Sequence, residues 1–210
     1  MNRWDLINFF IKECGYQSYL EIGLDVGLNF NNVVPMEVKE SIDPAADNYS
    51  HARPTYKMTS DEFFKTVAVE ENKKYDIVFI DGLHHSFQVD KDIQNSLNHL
   101  NKGGTIILHD CNPALRKHQT IPRQSAHWNG DIWKSIVKFR SLNNGNGCVI
   151  PDDAGLGIIR KDVNFPFKIK MPEELTWDWL VENREEALGL IDFEDIKKMV
   201  MTSLGDMNDE

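Results

Sequence analysis

The sequence predicts an α/β fold with a doubly wound, mostly parallel sheet and an antiparallel edge. Apolar runs of strand length alternate with segments of helical period, a pattern typical of βαβ units. Two short apolar runs late in the chain are typical of an antiparallel edge. The parallel strands are predicted at residues 18–22, 37–42, 55–58, 76–80 and 105–108, and the antiparallel pair at 148–150 and 156–160.

Helical segments separate these strands. Asn2 is a suitable cap for a first helix, and Gly15 lies just past the end of its apolar pattern. The Lys-Gly-Gly sequence at 102–104 is expected to stop the helix that precedes the last parallel strand. We expect one domain over residues 1–210, with a helical extension at about 172–201. Further helices are predicted at residues 61–69, 87–100, 131–142, 173–188 and 193–200.

Composition narrows the classes of function. The chain has 23 Lys and Arg against 33 Asp and Glu, a net charge of −10, and no concentrated basic face for phosphate contacts. Nucleic acid is therefore not an expected partner. Cys14, Cys111 and Cys148 are an odd, widely spaced set, which favours a reducing compartment over a disulfide framework. No apolar run reaches about 18 residues and the N-terminus does not resemble a leader, so we expect a cytoplasmic protein without membrane contact.

The first predicted strand ends in a glycine-rich turn. Glu21 stands at the strand end, and Gly23 and Gly27 follow in the turn towards a helix. Such a turn lets a ligand approach bare backbone. Asp43 closes the second strand about twenty residues later, where a carboxylate can accept hydrogen bonds from two ribose hydroxyls. A dinucleotide is the rival ligand, but Asp25 stands where a pyrophosphate needs bare N–H groups.

Polar side chains follow two further strands. Asp81 and His84 come directly after the strand at 76–80, and His109 and Asp110 follow the strand at 105–108. Because ligands of open α/β sheets bind at the carboxyl ends of the strands, we expect these groups in one crevice. Asp81, Asp110 and either His109 or Asn112 are candidates to bind a divalent ion. The alternative is that the two acids cap loops or bind an amino group of the cofactor.

A histidine in this crevice suits the role of general base. Transfer of a group to a hydroxyl oxygen requires that the oxygen lose its proton as it attacks, and imidazole titrates near neutrality. His84, three residues after Asp81, is our candidate. His85 is the reserve, although a position at a helix entry is the simpler explanation for it.

The turn and the strand-end acids resemble the class I S-adenosylmethionine-dependent methyltransferases over residues 18–110. The resemblance implies that Glu21, Gly23 and Gly27 hold the methionine part of S-adenosylmethionine. It also implies that Asp43 binds the ribose. The residues that would flank the adenine are Met58, Thr59 and Ser60.

The segment 80–90 and the sequence GGTIILHD at 103–110 are similar to a branch of metal-assisted O-methyltransferases that act on sugars. That branch includes methyltransferase domains attached to glycosyltransferases. The resemblance implies that Asp81 and Asp110 bind Mg²⁺ or Mn²⁺, with His109 as the candidate third ligand, and that His84 is the base. The polar segment 112–131, with planar donors, a carboxylate and Trp128, suits sugar hydroxyls.

The sequence thus predicts an S-adenosylmethionine-dependent O-methyltransferase with a sugar or glycan acceptor, of which a deoxysugar such as rhamnose is one candidate. A catechol-like phenol is the alternative acceptor. A non-catalytic cofactor-binding module of a glycosyltransferase assembly is the alternative of a different class. The C-terminal helices are expected to pack on their own domain, with a homodimer as the other arrangement.

Overall fold

A computed structural model describes residues 1–45, 52–142, 146–160, 163, 169 and 171–208. The chain divides into two compact units, Met1–Leu108 and His109–Glu210, called unit 1 and unit 2 below. Among the described residues, no helix is long and apolar enough to cross a membrane. The single-domain organisation and the cytoplasmic location stay predictions.

Unit 1 contains a parallel sheet of four strands in the order β2-β1-β3-β4. Ile22 at the end of β1 pairs with Ile42 of β2 and Ile80 of β3, and Ile80 pairs with Leu108 of β4. The carboxyl ends of the four strands are therefore level. The elements are α1 (Arg3–Cys14), β1 (Ser18–Ile22), α2 (Leu28–Asn32), β2 (Val38–Ile42), α3 (Ser60–Lys65), α4 (Val67–Glu70), β3 (Tyr75–Ile80), α5 (Ser86–Asn98) and β4 (Leu100–Leu108).

The central strands of unit 1 are buried, as continuous apolar runs predict for parallel strands. Ile77, Val78 and Phe79 of β3 have no exposed surface, and all five residues of β1 are buried. Helix α1 presents its apolar residues to this core and ends at Gly15, which has a left-handed φ of 67°. At its other end the Asp5 carboxylate accepts a hydrogen bond of 2.9 Å from the Asn2 N–H, as expected for a capped helix.

Unit 2 contains an antiparallel strand pair and three α-helices among its described residues. Cys148 pairs with Ile158, and Ile150 pairs with Leu156. Parallel strands together with one antiparallel pair confirm the predicted fold class. The elements are a 3₁₀ helix (Arg116–His118), α6 (Trp133–Leu142), β5 (Cys148–Ile150), β6 (Leu156–Ile159), α7 (Trp177–Leu188) and α8 (Phe193–Asn208).

Two expectations about unit 1 are wrong. The structure has an isolated parallel bridge between Tyr56 and Ile42 where the sequence predicts a strand at 55–58. The Lys-Gly-Gly sequence at 102–104 does not end a helix, because α5 ends at Asn98 and β4 begins at Leu100. The register of β3 and β4 shifts there, and a Cβ at Gly104 would lie 2.7 Å from the carbonyl oxygen of Asp76. The glycine permits a close approach of two strands at an irregularity.

Candidate active site

The turn after β1 depends on glycine for a steric reason. Gly23 has a φ of +90°, and a Cβ built on it would lie 2.2 Å from the carbonyl oxygen of Asp81. Its N–H donates to the carbonyl of Ile42 at 2.9 Å, and the Asp81 N–H donates to the carbonyl of Ile22 at 2.8 Å. The predicted turn at the end of β1 therefore lies directly against Asp81, the first residue after β3. Gly27 also has a left-handed φ, of +75°.

Asp43, the predicted ribose acid, holds this turn. Its Oδ2 accepts hydrogen bonds from the backbone N–H groups of Leu24 at 2.9 Å and Asp25 at 3.1 Å. Its Oδ1 accepts from the N–H of Ala45 at 2.7 Å. The side chain is buried beside the turn, and each carboxylate oxygen can accept more than one hydrogen bond. The structure shows a positioning role, and the ribose contact stays a prediction.

We expect Asp43→Asn to destabilise the protein by about 1–3 kcal/mol. Both carboxylate oxygens of Asp43 accept hydrogen bonds from backbone N–H groups, and the NH₂ group of asparagine would replace one of these oxygens and face a donor. Urea unfolding monitored by circular dichroism measures the loss. Asp25→Asn is the matched control in the same turn, since Asp25 is exposed and its left-handed φ of 46° suits asparagine. Equal losses in the two variants would contradict the positioning role of Asp43.

Glu21, the acid at the end of β1, is buried with 1% exposure. Tyr19 donates its hydroxyl proton to the Glu21 carboxylate, and the Asn29 amide donates to it at 2.8 Å. Burial raises the pKa of Glu21 to about 7, a rise that these two hydrogen bonds oppose and the charge of Asp81 assists. Sequence reasoning missed Tyr19 and Asn29, because neither stands in a motif; only the fold directs them to the acid.

The raised pKa of Glu21 makes stability depend on pH. The folded protein holds this proton more tightly than the unfolded chain, whose carboxyl has the ordinary pKa of 4.5. Stability is therefore expected to fall as pH rises from 4.5 to 7, by up to about 3 kcal/mol from this group. Glu21→Gln should flatten the dependence, and Glu37→Gln, at an exposed position, should not. Unfolding midpoints in urea between pH 4.5 and 8 test this, and an unchanged slope in Glu21→Gln would contradict it.

Asp81 connects two charged or titratable side chains. Its Oδ1 lies 3.2 Å from Nε2 of His84, and its Oδ2 accepts a hydrogen bond of 2.8 Å from Nη1 of Arg3. The side chains of all three are partly exposed, at 17% for Asp81, 19% for His84 and 25% for Arg3. The carboxylate thus orients the His84 imidazole while the Arg3 guanidinium balances its charge. Arg3 begins α1, 78 residues before Asp81, and no local pattern in the sequence indicates this contact.

The three residues expected to flank an adenine lie at the start of α3, of which Ser60 is the first residue. Thr59 caps the helix, since its Oγ1 accepts a hydrogen bond of 3.2 Å from the Glu62 N–H. Ser60 donates to Oδ1 of Asp92 at 2.7 Å, and burial raises the pKa of Asp92 to about 6. Met58 is half-buried. The structure assigns helix-positioning contacts to Thr59 and Ser60, and their adenine contacts stay predictions.

In unit 2, His109 lies between two carboxylates. Its Nδ1 is 3.2 Å from Oδ2 of Asp110, and its Nε2 is 3.4 Å from Oδ1 of Asp153. Asp110 has a left-handed φ of 60°, and its Oδ1 accepts a hydrogen bond of 2.7 Å from the Asn129 amide. His109, Asp110 and Asn129 are buried. Both nitrogens of the His109 ring thus face acids, and its role as a metal ligand stays a prediction.

The part of the chain that matches a known protein family includes the parallel sheet and the glycine turn. Residues 20–111 match the model of a family described as a methyltransferase domain. This segment runs from β1 to the residue after Asp110 and contains Glu21, Gly23, Asp43, Asp81 and His84. Over this segment the chain is similar to methyltransferase domains. No curated protein sequence matches the chain.

Solved structures with this fold are distant in sequence. An O-methyltransferase from Bacillus cereus, solved with S-adenosylhomocysteine, aligns with a TM-score of 0.52 at 13% identity, over 76% of this chain and 80% of that one. A Staphylococcus aureus protein, provisionally titled a caffeoyl-CoA O-methyltransferase, aligns with a TM-score of 0.50 at 16% identity, over 74% and 80%. At these identities the likeness shows the fold.

Proposed function

We propose that this protein is a methyltransferase that transfers the methyl group of S-adenosylmethionine to a hydroxyl oxygen of a sugar, with His84 as the general base. The observation that carries the proposal is the Asp81–His84 pair, 3.2 Å apart, in the loop after β3. Asp81 begins that loop against Gly23 of the glycine turn. A carboxylate-oriented imidazole and a backbone turn suited to a cofactor thus belong to the same edge of the unit 1 sheet.

Glu21 supports a cationic cofactor at this edge. Its carboxylate is buried, and within the described residues its hydrogen bonds come from the neutral groups of Tyr19 and Asn29, with no ion pair. A buried acid whose hydrogen bonds come from neutral groups fits a ligand that carries amino and sulfonium charges. S-adenosylmethionine would supply an electrophilic methyl group when bound. Glu21, Gly23 and Gly27 would hold its methionine part and Asp43 its ribose, and Met58, Thr59 and Ser60 would flank its adenine.

His84 would remove the proton of the acceptor hydroxyl. When Nε2–H donates to Asp81 Oδ1, the lone pair of the ring is on Nδ1, which then accepts the proton. The Asp81 carboxylate fixes the ring and stabilises the imidazolium that forms. Arg3, bonded to the other carboxylate oxygen, keeps Asp81 in place. An oxygen acceptor needs such a base because a neutral hydroxyl is a weak nucleophile.

A divalent ion at this edge is a further part of the proposal. Asp81 follows Ile80, and Asp110 follows Leu108 by two residues; Ile80 and Leu108 pair in the register of β3 and β4. Two carboxylates are ligands that Mg²⁺ and Mn²⁺ accept, and a bound ion would lower the pKa of an acceptor hydroxyl. His109 is the candidate third ligand. Arg3 already balances the charge of Asp81, so Asp81 does not require an ion as a partner. The chelator experiment below therefore tests the ion separately from the rest of the proposal.

Segment 112–131 supports a sugar as the acceptor. Its hydrogen-bonding side chains include those of Arg116, Arg123 and Asp131, and planar donors with carboxylates suit the hydroxyls of a sugar. Trp128 is half-buried and donates its indole N–H to the Thr120 carbonyl at 2.7 Å, and the Arg123 guanidinium lies 5.8 Å from its ring centre. Trp133 is fully buried and packs the start of α6, as expected for a structural residue.

Incubation with S-adenosylmethionine labelled in its methyl group, and with a panel of sugars and a catechol, tests the proposal. We expect label on a sugar hydroxyl, identified by mass spectrometry, and none on the catechol. EDTA, followed by added Mg²⁺ or Mn²⁺, tests the ion. Label that persists in EDTA would remove the ion from the mechanism and leave His84.

Two outcomes would overturn the sugar proposal. Label on the catechol alone would assign a phenol as the acceptor, and binding of S-adenosylmethionine without transfer to any acceptor would favour a non-catalytic module. Calorimetric titration with S-adenosylmethionine distinguishes a protein that lacks turnover from one that lacks the cofactor.

A further inference from the structure

A cavity of about 470 Å³ lies within unit 2. Its volume suits a ligand the size of a monosaccharide with a substituent. One of its residues, Asn112, follows Asp110 by two positions in the chain. The cavity is lined by Asn112, Ala114, His127, Pro151, Ala154 and Arg184.

Arg184, on α7, is the charged group of this cavity. Its Nη1 donates to Oδ1 of Asn112 at 2.5 Å and to the Pro113 carbonyl at 2.9 Å, and the guanidinium lies 5.5 Å from the ring centre of Trp177. These contacts fix the plane of the guanidinium. Burial lowers the pKa of Arg184, and no carboxylate in the described parts of the chain forms an ion pair with it.

The remaining donors of the cavity suit an oxyanion. Within the described residues, Nε and Nη2 of Arg184 make no hydrogen bond. The bond from Arg184 orients the Asn112 amide so that Oδ1 accepts, which makes Nδ2 a further donor. A fixed guanidinium with two N–H groups on one edge matches the geometry of a carboxylate or a phosphate.

Segment 112–130, which contributes three of the lining residues, is positively charged. Residues 112–130 contain three Lys or Arg and two His but no Asp or Glu, in a chain whose net charge is −10. One of these cations, Arg116, pairs with Asp178 of α7, and His127 lines the cavity. The other lining segment, 151–154, contains Asp152 and Asp153, so Arg184 is the group that would attract an anion into the cavity itself.

We propose that this cavity binds an anionic group, a carboxylate or a phosphate, carried by the sugar acceptor, with Arg184 as its main ligand. The inference rests on the proposed sugar methyltransferase and narrows its substrate class to acidic sugars or sugar phosphates. Arg184 and the Asn112 amide bind the oxyanion, and His127 contributes a further polar contact. Neutral sugars lack the group that satisfies the guanidinium, so they bind more weakly.

Calorimetric titration with glucuronate, glucose 6-phosphate and glucose tests the inference on the full chain. We expect the preferred anion to bind at least roughly tenfold more tightly than glucose, and Arg184→Gln to abolish that preference. Lys198→Gln is the matched control, because it removes one positive charge from an exposed site on α8 outside the cavity lining. Preference for glucuronate assigns a carboxylate, and preference for glucose 6-phosphate assigns a phosphate.

Asn112→Asp keeps the test decisive if Arg184→Gln does not fold. Its carboxylate still accepts the hydrogen bond from Arg184 but neutralises the cavity, so the anion preference should disappear in a folded protein. Equal affinity for all three probes in the wild type, or a preference that survives in Asn112→Asp, would overturn the inference.

Methyl transfer to the same three compounds separates this inference from the proposed function. Transfer to glucose with no preference for the anions would leave the methyltransferase proposal intact and remove the anion site. Anion binding that depends on Arg184 without any methyl transfer would support the site and count against the sugar methyltransferase.

Discussion

Replacing Gly23 with alanine is expected to destabilise the protein by about 3 kcal/mol or more, and to abolish cofactor binding in any fraction that folds. The new Cβ would lie 2.2 Å from the carbonyl oxygen of Asp81 and 2.6 Å from Cα of Gly82. Both are backbone atoms between β3 and α5, so neither can move aside as a flexible side chain would. Urea unfolding and calorimetric titration with S-adenosylmethionine measure the two effects.

Gly103→Ala is the control that distinguishes the steric clash at Gly23 from the strain of a left-handed backbone conformation. Gly103 also has a left-handed φ, of +75°, but no atom lies within 4 Å of the position of its Cβ. Its substitution should therefore cost only the conformational strain, about 1 kcal/mol. If Gly23→Ala were no more destabilising than Gly103→Ala, the close contact between the glycine turn and the residues after β3 would be wrong.

Replacing His84 with alanine is expected to reduce turnover at least roughly a hundredfold while S-adenosylmethionine still binds. The substitution removes the imidazole that Asp81 orients at 3.2 Å and leaves the glycine turn and Asp43 unchanged. Methyl transfer to the acceptor found in the labelling experiment gives the rate, and calorimetry gives the affinity for the cofactor.

His85→Ala is the control for this prediction. His85 occupies the N-cap position of α5, and its ring contacts the Phe87 ring edge to face, with 5.6 Å between the ring centres. We expect turnover to change by no more than about threefold, as for a substitution that spares the base. If His85→Ala lost activity and His84→Ala kept it, the two histidines would exchange roles, and full activity in both variants would exclude a histidine base from this loop.

Much of the fold follows from local pattern. The unbroken apolar run of β3 and the alternation of such runs with helical segments predict a parallel sheet, because a strand covered on both faces has no polar side. The predicted bounds of β1 and β5 agree with the structure to the residue. Local pattern failed at Gly103 and Gly104, where glycine has two uses: it ends helices, and it permits close strand contacts. Only the position of Asp76 on the neighbouring strand distinguishes the two.

In the candidate site, too, some residues could be predicted from local pattern and others could not. Glu21, Gly23, Asp43, Asp81 and His84 stand in short motifs at strand ends, so their residue types and spacing could be recognised along the chain. Their partners could not. The contacts of Arg3 with Asp81 and of Asn29 with Glu21 join residues that no motif connects.

The sequence by itself determined which chemical groups this protein has at the ends of its strands, because strand and turn patterns are local and a side chain's chemistry is independent of the fold. Tertiary structure decided what surrounds each group: a buried site that raises the pKa of Glu21, a guanidinium beside Asp81, and an arginine without an acid in the cavity of unit 2. Burial and charge pairing depend on residues distant in the chain, and these long-range contacts set the free energy of each ionised state.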